Sequence, residues 1–132
     1  DKDGWCPIDG KTFESTLHKG IHIVGDAAIQ SPLPKSGYAA NSEAKVVAAA
    51  VVNLLNDREP GTPSWVNTCY SIAAPADGFS VAMVYKLGDD GKVMKVEGSG
   101  GLTPMDSSPD ARAREVQYAY SWFNNITKDI FG

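Results

Sequence analysis

The residues best placed to do chemistry in this chain begin at Gly20. Gly20-Ile21-His22-Ile23-Val24-Gly25-Asp26-Ala27 is a short apolar run that ends in a glycine and a carboxylate. Such a run predicts a buried strand over residues 21–25. A strand ending this way delivers Asp26 to the edge of a sheet, and open α/β sheets bind ligands at the carboxyl ends of their strands. Gly25 lets a ligand approach the backbone closely. Ala27 keeps the neighbouring position small. The Asp26 carboxylate can then accept hydrogen bonds from sugar or ribityl hydroxyls. The competing reading of Asp26 is a strand that simply stops at a Gly-Asp turn.

A second group follows at once. Pro32-Leu33-Pro34-Lys35-Ser36-Gly37 is extended, because each proline disfavours helix in the residue before it. A long helix is expected over residues 37–56, with Ser36 as its N-cap. Its second half is apolar on nearly every face, from Val46 to Leu55, which predicts burial on several sides. The N-terminus of such a helix offers unbonded N–H groups and a positive dipole end, suited to an anion, a phosphate or an electron-rich ring carbonyl. Lys35 adds an ammonium beside it. The plainer reading of Lys35 is a solvated lysine in a proline loop. Strand, Gly-Asp, extended link and helix together resemble the second cofactor-contacting segment of flavoproteins with two dinucleotide-binding folds.

The remaining reactive residues are sparse. Two cysteines, Cys6 and Cys69, are too few for a disulfide-built mini-protein. Cys6, in Trp-Cys-Pro, reads as a small buried turn residue. Pairing with Cys69 is the alternative, and it needs a geometry that sequence does not contain. Cys69 is either a buried strand cysteine or a thiol that cycles with a partner. Tyr118, Trp122 and Ile126 recur at helical spacing, as a packed face does. His18 and His22 stand four apart but lead into a strand with no further ligand, so no metal site is expected. No nucleophile–histidine–acid set is evident. Gly98-Ser99-Gly100-Gly101 has no Lys-Ser/Thr after it, so it reads as a flexible link and not a phosphate loop.

These residues must be positioned by two parts of different texture. Asp57-Arg58-Glu59-Pro60-Gly61-Thr62-Pro63 is the best boundary. Before it, residues 1–57 offer a loop over 1–20, one strand and one helix, which cannot make a sheet alone. After it, residues 60–132 offer strands at Trp65–Ala73, Phe79–Leu87 and Lys92–Glu97. A hairpin turn lies at Gly88–Gly91, and a last helix is expected at about Ala111–Asn125. The fold class is therefore α+β: a partial strand–helix segment, then a three-stranded antiparallel sheet with a covering C-terminal helix. The first part lacks partners, as a piece of something larger would.

Composition sets outer limits. The 132 residues are 42% hydrophobic and 21% charged, with a net charge of −4. A nucleic-acid partner would want a basic face, so none is expected. No run approaches the ~18–20 apolar residues of a membrane span. The polar N-terminus shows no leader and no initiator methionine, so a processed or excised product is expected.

Four segments carry a more specific likeness. Gly-Ile-His-Ile-Val-Gly-Asp-Ala at 20–27 is followed by Pro-Lys-Ser-Gly-Tyr-Ala-Ala-Asn at 34–41. Glu-Pro-Gly-Thr-Pro-Ser-Trp-Val-Asn-Thr-Cys-Tyr-Ser stands at 59–71, and Val-Gln-Tyr-Ala-Tyr-Ser-Trp-Phe-Asn-Asn-Ile-Thr at 116–127. Together they resemble the C-terminal part of the flavoprotein subunit of flavocytochrome c sulfide dehydrogenase, within the FAD-dependent disulfide-reductase-like superfamily, over essentially the whole chain. The Gly-Asp motif is widespread among such flavoproteins; the Thr-Cys-Tyr-Ser and Tyr-Ser-Trp-Phe-Asn-Asn segments are far more specific.

The resemblance implies a periplasmic enzyme that oxidises sulfide to sulfur or polysulfide through FAD and hands electrons to a cytochrome c subunit, which alone carries haem c. It implies that residues 1–57 end the FAD-binding domain and that 60–132 form the interface domain. It assigns Gly25, Asp26 and Ala27 to the FAD ribityl and phosphate region, and Lys35, Ser36 and Gly37 to the segment beside the flavin ring. Cys69 becomes one half of the redox-active disulfide, and Trp122 an aromatic near it. The family's first glycine fingerprint, its flavin-tethering cysteine and the second redox cysteine have no counterpart here, and Cys6 does not stand where the last should be. They belong to a missing N-terminal part, without which the chain is expected to be inactive. Two other readings compete: a non-catalytic module that docks the cytochrome subunit, and a sulfide:quinone reductase-like flavoprotein. The polar tail after Asn124 disfavours the second.

Overall fold

The computed structural model describes residues 4–132. The part of the 1–20 loop that falls on residues 1–3 lies outside them. Two helices and an antiparallel sheet make an α+β fold, as the sequence pattern implies. The chain divides into two compact units: one runs up to Asn67 and adds Val84–Glu97, and the other comprises Thr68–Met83 and Gly98–Gly132.

In the first unit the expected strand at 21–25 is absent. His22 makes only an isolated bridge to Glu14, and Gly25–Ala27 is a single 3-10 turn. The physical reason is the lack of a second long strand to pair with: bridges Ile8–Ser15 and Glu14–His22 close a tight loop whose Phe13 sits at φ 59. Phe13 is fully buried and meets Trp65 edge to face at 5.9 Å. Cys6 ties this loop to the turn, its N–H donating to Ala27 and its carbonyl accepting from Ile29. Asp26 is thus presented by a turn and not by a strand end.

Helix α1 spans Gly37–Leu54, two residues shorter than expected. Ser36 caps it as predicted, its Oγ accepting from the Ala39 N–H at 3.1 Å. It stops in a Schellman pattern: Asp57 adopts φ 54, the Arg58 N–H reaches Asn53 and the Asp57 N–H reaches Leu54. The expectation of burial on several sides fails. Only Ala39, Glu43 and Ala50 are buried, one narrow stripe at spacings of four and seven, while Val52, Leu54 and Leu55 are exposed.

The sheet follows the predicted order. Strand β1 (Ser64–Ala74) pairs with β2 (Asp77–Leu87), which pairs on its other side with β3 (Val93–Lys95). A two-residue link makes the first pair an antiparallel hairpin. The second is antiparallel with Tyr85 opposite Lys95 and Leu87 opposite Val93. The Gly88–Gly91 turn closes it, the Gly91 N–H reaching the Gly88 carbonyl at 3.0 Å. In β1, Trp65 and Asn67 are buried between exposed Ser64 and Val66, the alternation a half-covered strand requires.

The second unit corrects two expectations. The Gly98–Gly101 segment is no flexible link, because β4 (Gly101–Leu102) pairs with β2 at Val81 and Ala82. The backbone comes so close that a Cβ on Gly100 would stand 2.1 Å from the Ala82 carbonyl oxygen. Helix α2 spans Pro109–Phe131, six residues beyond the predicted end. The Asn125 amide donates to the Ser121 carbonyl and the Thr127 hydroxyl to Phe123, so neither breaks the helix. Its covered face is Val116, Ala119, Trp122 and Ile126; Tyr118, expected on it, is 53% exposed. The Arg112 guanidinium joins Asp77 at 2.5 Å, fixing the first turn of α2 to the start of β2. Among the described residues no helix is long and apolar enough to cross a membrane.

Candidate functional site

Six of the sequence-derived site residues gather in the first unit around the Gly25–Ala27 turn and the start of α1. Gly25 has φ 74, a conformation L side chains rarely adopt. Its N–H donates to Glu43 Oε2 at 2.5 Å, and its carbonyl accepts from the Ala28 N–H at 3.0 Å. Asp26 and Ala27 are exposed, and the Asp26 carboxylate has no hydrogen-bond partner among the described residues. It is an acceptor turned outward on a fixed turn.

Lys35 is exposed, yet its ammonium is tethered. Its ammonium donates to the carbonyl of Asp26 and, at 3.0 Å, to that of Ala28, and it lies 3.8 Å from the centre of the Trp5 ring. Two carbonyls and an aromatic face hold it against the turn. A cavity of about 270 Å³ opens here, lined by Trp5, Gly25, Leu33, Pro34, Lys35 and Glu43 among others. Of the six sequence-derived residues, Gly25 and Lys35 line it; Asp26, Ala27, Ser36 and Gly37 do not.

Ser36 does double work at the helix start. While accepting from Ala39 it donates to Asn67 Oδ1 at 2.5 Å, and Asn67 is 3% exposed. Gly37, the first helical residue, is exposed. Sequence reasoning missed two residues here, Glu43 and Asn67. Glu43 is 3% exposed; burial pushes its carboxyl above the ordinary range, the Gly25 N–H and the Lys35 charge pull it back, and the Asp26 charge pushes it up. The signal was present: a lone carboxylate in an alanine–valine helix, four and seven residues from Ala39 and Ala50.

Cys69 and Trp122 belong to the second unit. Cys69 lies in β1, half-buried, and both it and Cys6 are thiols. Trp122 is half-buried on α2, its ring 5.9 Å from that of Tyr70, the residue after Cys69. The two histidines form no cluster: His22 Nδ1 meets the Thr12 carbonyl at 2.8 Å, and His18 is exposed. Among the described residues no three His, Cys, Asp or Glu side chains group as metal ligands do.

One comparison bears on these residues. Residues 61–131, more than half of the 132-residue chain, match the family model described as flavocytochrome c sulphide dehydrogenase, flavin-binding. The match includes Asn67, Cys69 and Trp122.

Proposed function

The chain belongs to the flavocytochrome c sulphide dehydrogenase flavin-binding family, whose flavin is FAD, and from that premise we propose that it serves a flavoenzyme that oxidises sulfide to sulfur or polysulfide and passes the electrons to a cytochrome c subunit. The match across Cys69 and Trp122 carries this reading. The residues of the first unit fit the cofactor. An outward carboxylate with no hydrogen-bond partner among the described residues suits the ribityl hydroxyls, and a capped helix start supplies N–H groups. We further assign residues 1–57 to the end of an FAD-binding domain and 60–132 to an interface domain, in a longer flavoprotein of the periplasm.

FAD, when bound, supplies a two-electron acceptor. Asp26 accepts hydrogen bonds from its ribityl region. The start of α1 and the Lys35 ammonium act on the ring through their field, which favours negative charge and raises the potential. The Lys35 ammonium is held by two carbonyls, so it works at a distance and not by direct contact. Cys69 forms a disulfide with a second cysteine of the same flavoprotein. Hydrosulfide attacks one sulfur; the disulfide bond breaks, a persulfide forms, and the other sulfur leaves as thiolate. Net, hydrosulfide gives up two electrons to the cofactor and one proton to solvent, and its sulfur departs as zero-valent sulfur or polysulfide.

The test is reduction of the flavin by sulfide in the FAD-loaded protein. Cys69→Ser abolishes bleaching of the flavin band by sulfide, while dithionite still reduces it; Cys6→Ser bleaches as wild type. Wild-type bleaching in Cys69→Ser refutes the assignment.

A further inference from the structure

We propose that Glu43 is the positioning residue of the Gly25–Ala27 turn: through the Gly25 N–H its carboxylate sets the direction in which Asp26 is offered to the flavin. The proposal rests on the reading that Asp26 binds FAD. Burying a carboxylate is costly unless it is partnered, and nothing in α1 itself calls for one at this position. Glu43 lies beyond the first helical turn, where the dipole no longer favours an anion. Its neighbours in the helix are largely alanine and valine, either of which would fill the stripe shared with Ala39 and Ala50.

What the carboxylate does is reach across to the turn. Its Oε2 takes the Gly25 N–H at 2.5 Å, and a Cβ on Gly25 would meet that of Ala40 at 3.4 Å, so α1 packs directly beneath. From the other side Lys35 holds the carbonyls of Asp26 and Ala28. The turn is therefore gripped by an anion at its N–H and a cation at its carbonyls, and the one carboxylate left over, Asp26, points outward. The charged groups acting on Glu43 are Lys35 and Asp26.

Flavin content per chain is read from the visible bands of the purified holoprotein. Asp26→Ala is the reference: unchanged flavin content overturns the reading of Asp26, and the proposal with it. Once Asp26→Ala is depleted, Glu43→Ala lowers flavin content at least about threefold, and Glu43→Gln, whose amide carbonyl still accepts the Gly25 N–H, restores it. Full flavin content in Glu43→Ala beside a depleted Asp26→Ala overturns the proposal and leaves the reading of Asp26 standing. A second variant decides even when Glu43→Ala fails to fold: Glu43→Leu fills the same stripe without an acceptor for the Gly25 N–H, and it loses flavin where Glu43→Gln keeps it. Equal flavin content in folded Glu43→Leu and Glu43→Gln overturns the proposal.

Discussion

The hydroxyl of Ser36 is the joint on which the start of α1 turns, and removing it has a calculable effect. Ser36→Ala deletes the cap that accepts from Ala39 and the donor that satisfies Asn67 Oδ1. Loss of an N-cap costs about 1 kcal/mol. Losing the Ser36 hydrogen bond to a 3% exposed amide costs about 1 kcal/mol more. The sum is about 2 kcal/mol. An unfolding entropy near 2.1 cal/mol/K per residue over 132 residues converts this to a Tm lower by about 7 °C. Thermal unfolding followed by circular dichroism reads it, and Ser36→Thr, which keeps a capping hydroxyl, recovers most of the loss. The double mutant Ser36→Ala/Asn67→Ala separates the two parts: the Ser36–Asn67 bond appears as a coupling of about 1 kcal/mol. A single-mutant loss under about 0.5 kcal/mol, or strict additivity of the pair, refutes the reasoning.

Three further perturbations probe other links. Gly100→Ala forces a Cβ to within 2.1 Å of a backbone oxygen, so the β4–β2 pairing must open, at a cost of about 3 kcal/mol in denaturant unfolding. Gly61→Ala meets nothing within 4 Å and stays within about 1 kcal/mol of wild type, on the stabilising side. At the base of α2 the Arg112 guanidinium, by its hydrogen bond, holds the Asp77 carboxyl below its ordinary value. Its contribution is present above the unfolded-state pKa and is lost as pH falls through the lower folded-state value. Asp77→Asn should flatten stability against pH below about pH 4; a wild-type acid slope in the variant would exclude the pair as its source. Glu43 works in the opposite sense. Its folded pKa is raised, so its contribution is full below the unfolded value and lost as pH rises through the folded one.

Where local chemistry and tertiary packing agree, the elements were legible. Ser36 before an alanine-rich run and a Gly-Asp-Asp-Gly turn between alternating strands each carry their own signal, and each element formed. The misreadings arose where one scale overrode the other. Ile21–Val24 has strand composition, yet a strand exists only if another lies beside it, and here Glu14 supplies one bridge. Val46–Leu55 is apolar enough to be buried all round, but burial depends on what packs against the helix, and one stripe alone is covered. At the end of α2 local propensity was the misleading scale: Asn125 and Thr127 disfavour helix only when their side chains compete for the backbone, and here both bond to carbonyls one turn back.

The site divides along the same line. Asp26, Lys35 and Ser36 became candidates because a carboxylate after glycine, an ammonium beside a helix start and a capping hydroxyl have meanings that a sequence can express. Their supports were not. Glu43 is eighteen positions from Gly25 and Asn67 thirty-one from Ser36, and at those separations only the folded chain reveals a partner. Sequence reading left Lys35 between a charge beside the cofactor and a solvated lysine in a proline loop; its two carbonyl bonds add a third part, a grip on the turn. A binding turn needs an outward group free of protein partners and inward groups that hold it still. The first kind is visible as an exposed, chemically distinct residue, whereas the second hides as a polar residue in an apolar stripe. Glu43 in the Ala39–Ala50 stripe is therefore where a search for the supports of Asp26 should begin.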